Sequence, residues 1–224
     1  MKQTQKEWAR YIQDEIKKNG SYDNYKHAFI EYKDYLEKCL LENPKNVEVI
    51  CQLAAVYNEL TYQWDDIYKL LNEFIKKYEN ELTDEEKSRI YTNLGFYYDD
   101  QRYGSKRAIR TLRKAVAFNP NNFKAYYGLG ADYYGAGKYD KSEEMYKRAC
   151  ELENNPIYKF EYANLLMVNG KYEEAKIILE ELIKKDFELV HQTDNSVTFA
   201  IEADQEIYEN YPYHFRLEIT YTVT

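Results

Sequence analysis

The chain contains 224 residues, enough to bury a hydrophobic core in one or two domains. Its eight glycines and four prolines are few for this length, and its many Glu, Lys, Leu and Tyr residues favour a mostly helical protein. No stretch of eighteen apolar residues occurs, which excludes a long apolar membrane span, and the charged N-terminal segment lacks the apolar centre of a signal peptide. We therefore expect a cytoplasmic location and no membrane partner.

Residues 4–185 contain, in chain order, five pairs of amphipathic segments whose apolar residues have helical spacing. Related turns stand inside three of these pairs, with the sequences NGSY at 19–22, AGKY at 136–139 and NGKY at 169–172. Glycine tolerates the positive φ angle that lets a chain reverse, and the tyrosine ring covers the turn. The sequence therefore predicts five helix pairs.

A pattern of large and small residues recurs in these pairs. A small residue (Gly or Ala) is expected where two antiparallel helices cross closely, and larger neighbours supply the packing. The copies are, in chain order, Ile12-x3-Ile16 with Tyr25-x3-Phe29 and Tyr32; Ile50-x2-Leu53-Ala54-x2-Tyr57 with Ile67-x3-Leu71 and Phe74; Tyr91-x2-Leu94-Gly95-x2-Tyr98 with Ala108-x3-Leu112 and Ala115; Tyr126-x2-Leu129-Gly130-x2-Tyr133 with Ser142-x3-Tyr146 and Ala149; and Tyr162-Ala163-x2-Leu166 with Ala175-x3-Leu179 and Leu182. This pattern resembles the tetratricopeptide repeat of about 34 residues.

The resemblance implies a fold and a binding surface. The fold is a right-handed superhelix of about five helix pairs, and its first helices line a concave groove that binds a peptide or protein segment. Carried onto this sequence, the first helices offer stripes at positions i, i+4 and i+7, and the later stripes are rich in aromatic residues suited to an apolar anchor. The expected peptide-binding residues are Asn58, Asn93, Phe96, Asp99, Tyr127, Tyr134, Phe160, Asn164 and Met167. The same stripes also contain Cys51, Ala55 and Thr92. Alternatively, some of the aromatic residues pack against the C-terminal segment.

Chaperone-binding members of this family hold a C-terminal carboxylate with Lys, Arg and Asn side chains. Here Arg89 and Asn93 are the only corresponding residues, because Cys51 and Ala55 stand at the positions of the preceding repeat. The resemblance therefore does not extend to a complete carboxylate clamp.

The first two repeats are longer than the others, with 41 residues between corresponding positions against 35 and 33 later in the chain. We expect long second helices in both, ending at Glu42 and near Tyr78. Thr83-x-x-Glu86 then predicts a capping box that starts the next helix.

The composition changes near residue 185. Residues 186–224 carry eight acids and one base, which accounts for −7 of the net charge of −8. Apolar and polar residues alternate in 197–203 and in 215–223, which predicts two half-buried strands, with a third at 187–192. A short helix is expected within 204–213. The predicted domains are thus a helical solenoid, 1–185, and a small acidic β-rich C-terminal appendage, 186–224.

Two roles are open for this appendage. A solenoid leaves its last helix exposed, and the sheet can act as the terminal cap. Alternatively, strand 215–223 is an open sheet edge that docks a partner or mediates self-association.

No enzymatic, metal or cofactor site is expected. The GAGK sequence at 135–138 is not a phosphate-binding loop, because Asp132 stands where the first glycine is required and Tyr139 where Ser or Thr is required. The few cysteines and histidines lack the spacing of metal ligands or of a disulfide framework. They are Cys39, Cys51, Cys150, His27, His191 and His214. A site formed by His191, Asp194 and His214 is the weakest alternative.

The densest positive segment lies in the third repeat. Its stripe Lys106, Arg110 and Arg113 is expected on the solvated face of a second helix, opposite Ala108 and Leu112. It is either a plain charged surface or a site for phosphates or for an acidic partner, including this protein's own acidic tail. The short basic run and the acidic tail disfavour nucleic acid.

We therefore expect a non-enzymatic interaction scaffold that binds a peptide or protein segment in the concave groove. The alternative is a dedicated neutralising partner, such as a bacterial immunity protein or a secretion chaperone, that binds one basic protein through its acidic surface.

Overall fold

The computed structural model describes residues 4–19, 22–61, 64–99, 105–185, 188–192, 196–202 and 216–222. They form ten α-helices and three β-strands. The helices are α1 (Gln5–Asn19), α2 (Tyr22–Glu42), α3 (Val47–Thr61), α4 (Trp64–Tyr78), α5 (Asp84–Asp99), α6 (Lys106–Phe118), α7 (Phe123–Gly135), α8 (Tyr139–Leu152), α9 (Pro156–Val168) and α10 (Tyr172–Lys185); the strands are β1 (Glu188–Gln192), β2 (Ser196–Glu202) and β3 (Arg216–Thr222). The helices confirm the predicted order of helix pairs.

The chain divides into two compact units, 1–137 (unit 1) and 138–224 (unit 2). In unit 1 the pairs α1/α2, α3/α4 and α5/α6 pack internally, and the first helices α3, α5 and α7 are neighbours. The small residue of the repeat permits this packing. At Gly95 an added Cβ would lie 2.6 Å from the side chain of Leu112 on α6, closer than any stable contact. Glycine is therefore required where α5 crosses α6.

A buried polar network joins α5, α6 and α7. The side-chain amide of Asn122 donates to Ser88 Oγ at 2.7 Å and to Thr92 Oγ1 at 2.8 Å, while its oxygen accepts from Ala125 N at the start of α7. Ser88 Oγ in turn donates to the carbonyl of Ala115 on α6. Because each partner is satisfied, this network fixes α7 against α5 without leaving a buried polar group unpaired.

Tyrosines supply many of the links between other helices. Tyr32 on α2 donates to Gln52 of α3 at 2.7 Å, and Tyr57 on α3 donates to Glu37 of α2. Near the N-terminus, Trp8 is buried and stacks on Tyr32 with ring centroids 5.2 Å apart. The high tyrosine content therefore serves packing and hydrogen bonding at the same time.

The helix boundaries agree in part with the sequence. Helix α2 ends at Glu42 and α4 at Tyr78, as predicted. The capping box is also confirmed, since Thr83 N donates to Glu86 Oε2 at 2.8 Å and Glu86 N donates to Thr83 Oγ1 at 3.2 Å.

The expectation of a long α4 was wrong. Helix α2 has 21 residues, but α4 has only 15. The additional residues of the second repeat form the 3-10 turn Glu79–Glu81 and an early first turn of α5. The capping box starts α5 early because it satisfies the N-terminal amides before the repeat motif begins.

In unit 2, α8 packs on α9 and α9 packs on α10. The turn before α10 contains Gly170 at φ 74°, and Gly137 adopts φ 68°, which confirms the predicted use of glycine in these two turns. Glu143 on α8 accepts hydrogen bonds from Asn169 at 2.7 Å and from Lys171. The turn that follows α9 is therefore attached to α8.

The three strands form an antiparallel sheet in the order β1-β2-β3. The register aligns Leu189 with Phe199 and Phe199 with Ile219, so apolar residues of the three strands share a row. The short helix expected within 204–213 lies outside the described residues. The division between units falls at residue 137, whereas the predicted boundary near 185 marks a change in composition and stays a prediction.

Candidate protein-interaction face

The first helices of unit 1 carry six of the nine predicted binding residues. We call this set the unit 1 face: Asn58, Asn93, Phe96, Asp99, Tyr127 and Tyr134. Tyr134 is the most accessible of those whose burial is described, with 44% of its surface exposed near the end of α7. Asn58, Asn93, Phe96 and Tyr127 are half-buried, and the side chain of Asp99 lies outside the described residues.

Phe96 connects two neighbouring first helices. An added Cβ on Gly128 of α7 would lie 2.6 Å from the Phe96 ring, so the ring occupies the notch that this glycine leaves. The same added Cβ would lie 3.0 Å from Leu112 of α6. The Phe96 ring is therefore a fixed wall of the unit 1 face, held between α5 and α7, with part of its surface accessible.

The polar residues of this face are already engaged or partly covered. The Asn93 amide donates to the carbonyl of Arg89 at 3.0 Å, and Arg89 itself forms an ion pair with Glu48. The side-chain oxygen of Asn58 is buried and accepts no hydrogen bond within the described part of the chain. Arg89, one of the two residues that correspond to the carboxylate clamp of chaperone-binding relatives, is thus neutralised by Glu48 within unit 1.

Two residues of the predicted stripes do not reach a binding surface. Cys51 is buried, and Thr92 is buried with its hydroxyl bonded to Ser88 O and Asn122. The i, i+4, i+7 rule placed both on the accessible stripe, but both are buried, and Asn122 before α7 contacts Thr92.

In unit 2 the predicted residues lie on α9: Phe160, Asn164 and Met167, the unit 2 face. Phe160 and Asn164 are half-buried, while Met167 is 38% exposed. Val168 is exposed beside Met167, although it does not belong to the predicted stripe. The only feature of the sequence that could have predicted its exposure is the pair of adjacent apolar residues at the end of a helix. Thus α9 presents two exposed apolar side chains.

An acidic group lies close to this apolar surface. Burial raises the pKa of Glu161 above its usual range, and a hydrogen bond with the Asn164 side chain opposes the shift. A cation beside Glu161 would offset the cost of burying its charge. The unit 2 face therefore combines apolar contact area with a carboxylate that favours a positive neighbour.

The described residues provide no arrangement for metal binding, since no three His, Cys, Asp or Glu side chains among them are grouped to hold an ion. Burial raises the pKa values of the Cys51 and Cys150 thiols to about 12, so both are protonated at neutral pH. Within the same residues, no helix has the length and apolar character needed to cross a bilayer.

Comparison with known proteins identifies the repeat. The family model described as "Tetratricopeptide repeat" matches residues 123–156, which span α7 and α8. Human Superkiller complex protein 3 is 32% identical over 92 residues, and the match covers 41% of this chain but only 6% of that protein. The solved structure of TTC0263, a thermophilic TPR protein in Thermus thermophilus, has a TM-score of 0.59 at 20% identity and covers 81% of this chain and 91% of its own. The chain thus contains a tetratricopeptide repeat at residues 123–156 and shares the fold of a solved tetratricopeptide-repeat protein.

Two further solved structures have a similar fold. MamA 41-end from Desulfovibrio magneticus RS-1 gives a TM-score of 0.56 at 17% identity and covers 80% of this chain and 93% of its own. A crystal structure of MamA gives 0.53 at 23% identity, with coverages of 77% and 92%. At these identities the likeness concerns the fold alone. The tetratricopeptide repeat is typical of protein-protein interaction scaffolds.

Proposed function

We propose that this tetratricopeptide protein is a non-enzymatic scaffold that binds a peptide or protein segment through its first-helix faces. The observation that carries the proposal is the exposed ring of Tyr134 on α7, at a position that the resemblance to this repeat family predicts to face a ligand. Large aromatic side chains that stay partly exposed are frequent anchors of binding energy at protein interfaces. The partner is therefore a segment that supplies an apolar side chain to this ring.

Unit 1 offers such a segment a rigid surface. Phe96 is fixed in the Gly128 notch, and Tyr127 is half-buried on the same face. The buried network around Asn122 holds α7 in place. A preorganised surface loses little conformational entropy on binding, which favours affinity even for a short peptide.

The unit 2 face can also contact an apolar side chain of the ligand, and it additionally favours a positive charge beside that side chain. Met167 and Val168 supply exposed apolar area, and the half-buried Glu161 favours a cation. We therefore propose that the segment bound at α9 contains an apolar residue next to Lys or Arg.

Substitution of one tyrosine tests the proposal at unit 1. Co-purification from the native host followed by mass spectrometry identifies the bound protein, and calorimetry then measures its affinity for two variants. Tyr134→Ala removes the proposed anchor. Tyr139→Ala is the matched control, because it removes the same side chain at 43% exposure from a second helix, α8.

We expect Tyr134→Ala to weaken binding about tenfold or more, equivalent to a loss of at least ~1.4 kcal/mol, and Tyr139→Ala to leave it unchanged. Equal affinities of both variants and the parent would contradict a binding role for the first-helix face. Far-UV circular dichroism must show unchanged helicity, since Tyr134 is not part of the core.

The C-terminal segment supports a second candidate function. Strand β3 lies at an edge of the described sheet, and residues 186–224 carry most of the net negative charge. We propose that this segment either caps the solenoid or binds another chain, which is a basic protein to be neutralised or a second copy paired along β3.

Charge removal distinguishes these roles. If one basic partner co-purifies, the variant Glu188→Gln/Glu202→Gln/Glu218→Gln should bind it much more weakly. If the segment acts only as a cap, the same variant should be as stable as the parent. Sedimentation equilibrium of the full chain tests self-pairing, and a monomer at every concentration argues against it.

A further inference from the structure

Helix α6 is unusual among the helices in its charge. Its thirteen residues contain five cations, Lys106, Arg107, Arg110, Arg113 and Lys114, and no acid. The whole chain carries a net charge of −8, and each of the other nine described helices contains at least one Asp or Glu. Position within the repeat does not account for this, because the second helices α2, α4, α8 and α10 mix both signs.

Three cations of α6 lack a carboxylate partner among the described residues. Lys106, Arg110 and Arg113 are exposed and form no ion pair within the part of the chain that the structure describes. Several cations of other helices and turns are paired with carboxylates: Lys33 with Glu37, Lys45 with Glu81, Lys159 with Glu181 and Lys171 with Glu143. We call Lys106, Arg110 and Arg113 the basic stripe.

Acids on the segment that leads into α5 are engaged in other contacts. Glu79 accepts from the Tyr91 hydroxyl, and Glu85 accepts from the side chain of Asn119 at 2.6 Å. Glu86 accepts from the backbone amide of Thr83 in the capping box. These carboxylates are therefore not directed at the basic stripe.

This arrangement costs stability in the absence of a ligand. Lys106 and Arg107 stand in the first turn of α6, where the helix dipole disfavours positive charge. Like charges at i, i+3 and i, i+4 also repel each other along the stripe. An anion bound along α6 would relieve both effects.

The helix presents the stripe rigidly. On its opposite side, Ala108, Leu112 and Ala115 are fully buried, and Ser105 caps the N-terminus by accepting from Arg107 N. The other two cations of α6 lie over aromatic rings, with Arg107 4.1 Å from the Tyr98 centroid and Lys114 4.9 Å from that of Tyr91. Five cations are thus presented by one well-packed element, which lowers the entropy cost of binding.

We propose that the basic stripe of α6 is a docking site for an acidic protein segment, separate from the first-helix faces. The stripe extends over eight residues, 106–113, or about 10 Å along the helix axis. A partner helix with carboxylates at i, i+4 and i+7, or about three residues of an extended acidic strand, matches this span. Arg110 and Arg113 bind such carboxylates bidentately.

Charge complementarity selects this class of partner. A short acidic segment experiences mainly the local field of α6 over a Debye length of about 10 Å. A long nucleic acid or an anionic bilayer needs a basic surface far longer than this stripe, and residues 1–185 have a net charge of −1 even with the five cations of α6 included. An acidic protein segment is therefore the occupant.

A fluorescence-anisotropy titration of the full chain tests the proposal with a labelled deca-glutamate peptide as probe. The stripe variant is Lys106→Glu/Arg110→Glu/Arg113→Glu. The control is Lys69→Glu/Lys76→Glu/Lys77→Glu on α4, which changes the net charge equally and also alters exposed lysines of a second helix. A deca-glutamine peptide controls for charge-independent binding.

We expect the stripe variant to lose at least about tenfold in affinity for deca-glutamate and the α4 variant to lose about twofold or less; about 0.5 M salt should abolish parental binding. Equal losses in both variants, or no binding by the parent, would overturn the proposal. Tighter binding of a ten-nucleotide RNA or of phosphatidylserine vesicles than of deca-glutamate, lost only in the stripe variant, would also overturn it in favour of a different polyanion. A third variant, Lys106→Gln/Arg110→Gln/Arg113→Gln, checks that any loss in the stripe variant does not come from misfolding.

Discussion

At the scale of single residues, small polar side chains determine how neighbouring repeats meet. Asn122 illustrates this, because it caps α7 and also bonds Ser88 and Thr92 of the preceding first helix. The repeat pattern contains no position for this network. The prediction from sequence therefore treated Thr92 as a surface residue, whereas a loop asparagine 30 residues further along the chain buries it.

Asn122→Ala tests the network. Removal of its amide leaves the N-terminus of α7 uncapped and the Ser88 and Thr92 oxygens without their donor, so we expect a loss of about 2 kcal/mol in the free energy of unfolding. Urea unfolding followed by circular dichroism measures it. Asn121→Ala, an exposed neighbour, should cost about 0.5 kcal/mol or less. Similar losses in the two variants would show that the network contributes little.

Gly95→Ala tests the close crossing of α5 and α6. The new methyl group would lie 2.6 Å from Leu112, so the core must shift, and we expect a destabilisation of about 1–3 kcal/mol. Gly135→Ala, at the exposed end of α7, should be neutral or stabilising by about 0.5 kcal/mol because alanine has the higher helix propensity. Thermal unfolding of both variants makes the comparison, and a stable Gly95→Ala protein would mean that Leu112 can move freely.

At the scale of elements, local signals predicted where the helices begin and end. The Thr83 capping box and the turns at Gly137 and Gly170 were recognisable because each satisfies a backbone requirement with residues a few positions apart. The length of α4 was not predictable, since the additional residues of that repeat can join either helix or the turn between them. Because the capping box starts α5 at Asp84, the additional residues belong to α5 and to the turn before it, and α4 is not lengthened.

Glu143 provides a pH-dependent link between elements of unit 2. Burial alone would raise its pKa, but the hydrogen bonds from Lys171 and Asn169 outweigh this effect and lower the pKa below the ordinary value. A lowered carboxyl pKa stabilises the fold above the ordinary pKa and ceases to do so as the pH falls through the lowered value.

We therefore expect Glu143→Gln to be less stable than the parent at neutral pH and equally stable at strongly acidic pH. Urea unfolding at a series of pH values measures the difference. Glu144→Gln, at a neighbouring position on α8, should show little difference at any pH. A stability difference for Glu143→Gln that does not change with pH would indicate that the charge of Glu143 is unimportant.

At the scale of the whole molecule, the sequence predicted the repeat class and the helix order, but only part of the candidate site. Stripe positions follow from helical periodicity, which is why Tyr134 and Met167 are exposed as expected. Periodicity does not show which neighbour covers a stripe residue. The Phe96 ring is held by the notch at Gly128, and Cys51 is buried, through contacts between residues distant in sequence.

Truncation after Lys185 tests the proposed role of the C-terminal segment as a cap. If the segment covers the end of the solenoid, its removal exposes apolar surface, and we expect a lower Tm and aggregation detectable by light scattering. The full chain under identical conditions is the reference. A soluble truncated protein with an unchanged Tm would contradict the cap and leave the docking role.

The packing of Trp8 has a spectroscopic consequence. The chain has two tryptophans, Trp8 and Trp64, and both belong to unit 1. Because the Trp8 indole is buried against Tyr32, its emission should be blue-shifted in the native state and move to longer wavelength when α1 separates from α2. In a Trp64→Phe background, tryptophan fluorescence would follow unit 1 alone, while circular dichroism would follow the helices of both units. Any difference between the two unfolding curves would then measure directly whether residues 1–137 and 138–224 unfold together.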